Sequence, residues 1–152
     1  VAETVKGMNA GLDPVTIAAN LSLPADLVQK PYLQEFYGHM GYASRAYFAG
    51  TLGWFDGNPT SLGELPPAAE AERMVALAGG PAKVLAAAQA ALDADDQQWA
   101  MELVDRLIAL NTEAPAARAL KVRALRVIAD ETINAPTRNY YLLSAREIEE
   151  QG

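Results

Sequence analysis

The chain has 152 residues, 51% of them hydrophobic and 20% charged, with a formal net charge of −7. That composition belongs to a folded domain with its own core and excludes a disordered chain. Scattered basic residues, 12 Lys and Arg in all, exclude a nucleic-acid face, and the absence of cysteine excludes disulfides and thiolate chemistry.

No apolar run reaches the length of about 18 residues that a membrane span needs. The chain begins at Val1 rather than Met. It is read as a piece of a longer or processed protein, with any targeting signal lost upstream.

"VAETVKGMNAG" reads as a short helix closed by glycine. Asp13 and Pro14 then supply an N-cap and a proline at the first helical position. "SLPADLVQKP" repeats that logic as a short turn between prolines. "YLQEFYGHMGYASRAYFAGTLG" reads as one long, interrupted helix, weakened by Gly38 and Gly41 at about 1 kcal/mol each relative to alanine. "WFDGNPTSLGELP" breaks the pattern, because Asp56-Gly57 suits a tight turn and Asn58 precedes a proline. Pro66 and Pro67 open the next helix, and Gly79-Gly80 close it.

The remainder carries an internal period. Pro81 opens "PAKVLAAAQAALDADD" and Pro115 opens "PAARALKVRALRVIAD", 34 residues apart. Between them "QQWAMELVDRLIALN" places Trp99, Leu103 and Leu107 on one helical face, widened by Ile108 and Leu110. Glu102 and Arg106 are expected to pair on the opposite face. Leu120, Ala124, Val127 and Ile128 repeat the stripe, and "APTRNYYLLSAREIEEQ" supplies a last helix. A 34-residue period of paired helices is the tetratricopeptide (TPR) spacing. The expected fold is all-α, with residues 1–65 irregular, helical and aromatic-rich, and residues 66–152 folded as TPR-like antiparallel helix pairs.

The residue types exclude most catalytic chemistry. A zinc site asks for three or four ligands, and His39 is the single histidine. It is read as an exposed or hydrogen-bonded residue. An EF-hand begun at Asp93 would need Gly at its sixth position and Glu at its twelfth, but Gln98 and Val104 stand there. There is no nucleophile elbow and no glycine-rich phosphate loop. The paired carboxylates (Glu70 with Glu72, Glu149 with Glu150) belong to solvated helix surfaces. No residue is assigned as catalytic or as a metal ligand.

The aromatics remain. Tyr32, Phe36, Tyr37, Tyr42, Tyr47, Phe48, Trp54 and Phe55 crowd into 24 positions. They suit a packed core corner, since aromatics bury large areas. The alternative is that some of them line an interface, where Tyr, Trp and Arg are enriched. Arg45 lies among them, able to hold an anion or to pair with Glu35 or Asp56.

Taken in order, "KPYLQEFYG", an arginine within a helix, "LGWFDGNPTSL", "RMVALAGG", "QWAMELVDRLIALN" and "TRNYYLLSA" resemble the all-helical dimerisation domain of the zinc-dependent alkyl sulfatases, in the metallo-β-lactamase superfamily. The likeness runs from about Gly7 to Ser144. "GWFDGNP" with "EFYG" upstream carries most of it. One departure is "HMGYASR", which stands where many relatives have a T-V-S-H-N-like stretch.

The resemblance implies an upstream metallo-β-lactamase-fold domain holding two zinc ions. It implies an interlocked homodimer made by this helical domain, and a downstream sterol-carrier-like domain that receives the alkyl chain. The implied reaction is hydrolysis of alkyl sulfates such as dodecyl sulfate by a metal-activated water. The zinc-ligand cluster is not in these 152 residues, so the chain by itself is expected to be catalytically silent and to hold no cofactor. Tyr47 to Pro59 is then expected to be both corner and wall. Asp56, Gly57, Asn58 and Pro59 reverse the chain, and Trp54 and Phe55 pack beneath. Arg45, Tyr42, Tyr37 and Tyr47 border the sulfate-ester entrance. Exported members of the family imply a periplasmic or secreted location, with a cytoplasmic one open. Two other functions suit the same residues: a stand-alone TPR-like adaptor that binds peptides, and a helical lipid- or detergent-binding module.

Overall fold

Prolines and glycines punctuate the chain, and helices form between them. A computed structural model describes residues 1–150, and these are helical, with no strand among them. Helices α1 (Ala2–Asn9), α2 (Pro14–Ala19), α3 (Ala25–Val28) and α4 (Met40–Leu52) come first. Helices α5 (Pro67–Leu77), α6 (Pro81–Asp93), α7 (Gln97–Ala109), α8 (Ala114–Glu131) and α9 (Ala135–Glu150) follow. Short 3-10 turns lie at Pro31–Leu33 and Pro59–Gly63. The residue contacts divide the chain into two units, Val1–Glu64 and the segment from Leu65 onward.

In the first unit α1, α2 and α4 pack on one another. Asp13 caps α2, its carboxylate accepting from the Val15 and Thr16 N–H groups at 2.9 Å. The Thr16 side-chain and backbone hydrogen bonds lower the Asp13 pKa. The core here is small: Ile17 and Phe48 are buried, and the buried hydroxyls of Thr4 and Ser44 satisfy each other at 3.1 Å. Gly7 allows a close approach of α1 to α2, since a Cβ there would meet Ile17 Cγ1 at 2.6 Å. Ile17 is branched at Cβ, which restricts χ1 and so leaves Cγ1 little freedom to swing aside. Gly7→Ala is therefore expected to destabilise the chain. Overpacking costs about 1–3 kcal/mol, alanine's better helix propensity offsets about 1 kcal/mol, and a urea titration reads the difference as a net loss of about 1 kcal/mol. A stabilised variant would contradict the close approach.

The long, interrupted helix expected over residues 32–53 is a 3-10 turn followed by α4, with its break before Met40. After the 3-10 turn the chain runs irregularly to His39, and α4 starts at Met40. The cause is capping: His39 Nδ1 accepts the Gly41 N–H at 3.1 Å, and the Glu35 carboxylate accepts the Met40 N–H. Two orphan donors of the first turn are satisfied by side chains from outside it.

In the second unit each helix packs on the next, and α6 also touches α8. Arg138 pairs with Asp130 near the tip of the last hairpin, and Arg126 pairs with Glu149 farther along, so α8 and α9 run antiparallel. The expected 34-residue period holds for the first helix of each pair, since Pro81 and Pro115 both sit at helix starts. It fails for the second, because α8 has 18 residues against 13 in α6.

Several helices end in the same device. Gly79 has φ of +88°, Gly79 N–H bonds Ala76 C=O at 3.0 Å, and Gly80 N–H bonds Val75 C=O at 2.9 Å, the Schellman pattern. Asp95 and Asn111 fill the same left-handed position after α6 and α7, with φ of 64° and 51°.

Of the expected α7 stripe, Leu107 is buried and Leu103, Ile108 and Leu110 pack against its cluster, and Trp99 is the exception. Ala100, Met101, Val104 and Leu107 are buried, whereas Trp99 is 49% exposed. Leu107 and Val104 meet Val75, Val84, Ala88, Ala117 and Leu120 in one cluster. Met101, Ala124, Leu125 and Ala145 form a second. In α8, Leu120 and Ala124 are buried as expected, but Val127 faces out. The expected Glu102–Arg106 pair is not formed. Arg106 reaches across to Glu70 on α5 at 2.6 Å, and Glu102 accepts from Gln98 at 2.9 Å.

Candidate aromatic and cationic site on α4

Helix α4 buries Gly41, Ser44 and Phe48 on one face. That spacing leaves Tyr42 and Arg45 one turn apart on the other face. The His39 ring stacks on Tyr42, with centroids 4.1 Å apart and planes 21° off parallel. The Arg45 guanidinium lies over the Tyr42 ring, 5.4 Å from its centroid. A tyrosine ring is thus shared between an imidazole and a guanidinium at the N-terminal end of a helix. A cation over a ring gains about 0.5–1 kcal/mol at an exposed site.

The alternative ion pairs for Arg45 are not what the structure holds. Glu35 faces His39, with Oε2 3.9 Å from Nε2, besides capping Met40. Asp56 is committed to its own turn: Oδ1 accepts the Asn58 N–H and Oδ2 accepts the Ser61 hydroxyl, both at 2.9 Å. Asn58 in turn accepts the Thr60 N–H at 3.2 Å and opens the 3-10 turn at Pro59. Gly57, at φ of +93°, supplies the left-handed step.

Of the aromatics, Phe48 is buried and Phe55 half-buried. Tyr32, Phe36, Tyr37, Tyr42, Tyr47 and Trp54 are exposed. Trp54 meets Phe55 edge-on at 5.9 Å, yet it is 74% exposed and is not packed beneath the turn. Tyr37 and Tyr47 lie outside the His39–Tyr42–Arg45 stack. His39 was not among the expected site residues, although its three-residue spacing from Tyr42 at a helix start was the available signal.

Chemically, the exposed set offers groups that can bind. A guanidinium and an imidazole edge suit an anion, and the rings suit an apolar chain. Among the described residues no group of three or more His, Cys, Asp or Glu side chains is gathered for a metal. No single helix there is long and apolar enough to cross a membrane.

An all-helical module with an exposed aromatic segment is the class that fold and site define. A sequence profile described as alkyl sulfatase dimerisation matches residues 13–151, and the chain belongs to that family. A linear primary-alkylsulfatase of Pseudomonas sp. is 41% identical over 97% of this chain and 28% of its own length. An (R)-specific secondary-alkylsulfatase of Pseudomonas sp. is 38% identical over 93% of this chain and 21% of its own. The solved structure of a stereoselective inverting sec-alkylsulfatase from Pseudomonas sp. superposes with a TM-score of 0.89 at 36% identity, covering 95% of this chain and 23% of that one. The chain thus spans about a quarter of the length of such relatives.

Proposed function

We propose that this chain is the homodimerisation domain of an alkyl sulfatase, and that α4 supplies part of the wall of its substrate pocket. The observation that carries the reading is the solvent-facing aromatic segment. Six of the eight aromatics between Tyr32 and Phe55 are exposed in a chain whose family is defined by dimerisation. Exposed aromatic surface of that density belongs to an interface or a ligand wall rather than to free solvent. Arg45 and Tyr42 offer an anionic sulfate head a charge and a ring edge, with Tyr37 and Tyr47 beside them in sequence.

The reactive centre belongs elsewhere in the full-length protein, in an upstream metallo-β-lactamase-fold domain that holds two zinc ions. A downstream sterol-carrier-like domain receives the alkyl chain. This chain positions and encloses; it activates no water. The full-length protein is expected to release sulfate from a linear or secondary alkyl sulfate and to lose that activity on zinc chelation. The 152-residue chain alone is expected to release none. Sulfate release by the chain alone would overturn the assignment.

A further inference from the structure

His39 stands between two partners that ask for opposite charge states. Its Nδ1 accepts the Gly41 N–H at 3.1 Å, which needs a lone pair on that nitrogen and hence a neutral ring. Its Nε2 stands 3.9 Å from Glu35 Oε2, too far for a hydrogen bond but near enough to favour a cation. Both contacts agree on the orientation of the ring. Turned over, it would present carbons to the Gly41 N–H and to Glu35. Gly41 makes the first contact possible, because a Cβ there would meet His39 Cε1 at 3.1 Å and Nδ1 at 3.2 Å. The ring sits in the space that the glycine leaves.

The charges around the ring are few. Its own segment brings Glu35 and the stacked Tyr42, whose ring also carries the Arg45 guanidinium. Lys30, Tyr32 and Tyr37 lie earlier on that segment and are exposed. From α2 the near neighbour of Gly41 is Ala18, and that helix has no titratable side chain. Asp13, its cap, is engaged with Val15 and Thr16. From α1, Thr4 meets Ser44 one turn farther along α4, while Glu3 and Lys6 pair with each other in solvent. Among the described residues Glu35 is the carboxylate that faces the imidazole.

We propose that His39 is an acid-operated latch on the first turn of α4. Neutral, it caps Gly41 and stacks on Tyr42. Protonated, its Nδ1 carries a hydrogen and can only donate, so it meets the Gly41 N–H donor to donor. The ring then leaves the cap and turns its charge to Glu35, away from the positive end of the helix. The Gly41 N–H loses its acceptor, and the Tyr42 ring loses its stacking partner. An N-cap and a partly exposed ion pair are effects of similar size, so the charge on the ring decides which contact is kept. Histidine is the side chain that changes charge between pH 5 and 8. The inference stands on the geometry of residues 35–45 and holds whether or not this segment borders a substrate pocket.

Millisecond hydrogen–deuterium exchange on the full-length protein tests it, at pH 7.5 and 5.5 with rates corrected for intrinsic exchange. Protection of the amides at the start of α4 is expected to fall about fivefold at the lower pH, as removal of an N-cap does. H39N keeps a capping side chain that does not titrate, and its protection is expected to be the same at both values. H39A is expected to lack that protection already at pH 7.5. Unchanged protection in the unsubstituted protein would overturn the latch. So would an equal fall in H39N, which would assign the response to another group.

Discussion

Replacing Leu107 with alanine lowers the stability of the chain by about 3–4 kcal/mol, within the range of about 2–5 kcal/mol for buried leucines. Leu107 is fully buried, and its cluster draws side chains from α5, α6, α7 and α8. Its surroundings decide the size of the effect. Ala88 and Ala117 border it within that cluster, and both are fully buried. Alanines bring helix backbones close, so few large side chains fill the interior, and small neighbours cannot swing in to fill a hole. The cavity term then adds to the lost transfer energy. Trp99→Ala serves as the contrast, because the indole stands half in solvent and its removal is expected to cost less than half as much. Urea unfolding followed by circular dichroism reads both. A Leu107→Ala loss no larger than that of Trp99→Ala would contradict the packing described for α7.

Arg45→Ala in the full-length protein is expected to lower kcat/KM for alkyl sulfates about tenfold to a hundredfold. A hydrogen bond to a charged group contributes about 1.5–3 kcal/mol, and each 1.4 kcal/mol is about a factor of ten. The fold should barely notice the change, since Arg45 is exposed and its ring contact with Tyr42 is worth about 0.5–1 kcal/mol. Arg45→Lys keeps the charge but loses the fork and is expected to fall between. Steady-state kinetics with a linear primary alkyl sulfate and one neutral ester separate the cases. A sulfate-recognition role predicts a loss confined to the anionic substrate. Unchanged kinetics would remove Arg45 from the pocket.

The helical class and most helix starts were legible in the sequence because proline and glycine act locally. Pro14, Pro67, Pro81 and Pro115 all stand in first turns, and Gly79 takes the left-handed step that ends α5. What failed was less local. The stripe on α7 was read from its large residues, so it included the half-exposed Trp99 and passed over Ala100, Met101 and Val104, which are buried beside Leu107. Alanine has too little side chain to weigh in a hydrophobic pattern, yet it sets how closely helices pack. Arg106 finds Glu70, 36 positions away, and no spacing rule along one helix reveals such a partner. Gly38 and Gly41 marked an interruption before α4, but the capping by Glu35 and His39 that fixes its start is a geometry invisible to propensity.

The candidate site was legible as a cluster but not as an arrangement. Eight aromatics in one stretch mark a place of interest. Hydrophobicity alone cannot separate a core corner from a surface meant for a partner, because both demand the same residues. Only the exposure of Trp54 and Tyr37, set against the burial of Phe48, distinguishes them.

The central claim is that these helices meet a second copy of themselves, and sedimentation equilibrium of the purified chain at low micromolar concentration tests it most directly. The account predicts a mass twice the 16.2 kDa of one chain. A species of 16.2 kDa that keeps its helical circular dichroism and cooperative unfolding would contradict it.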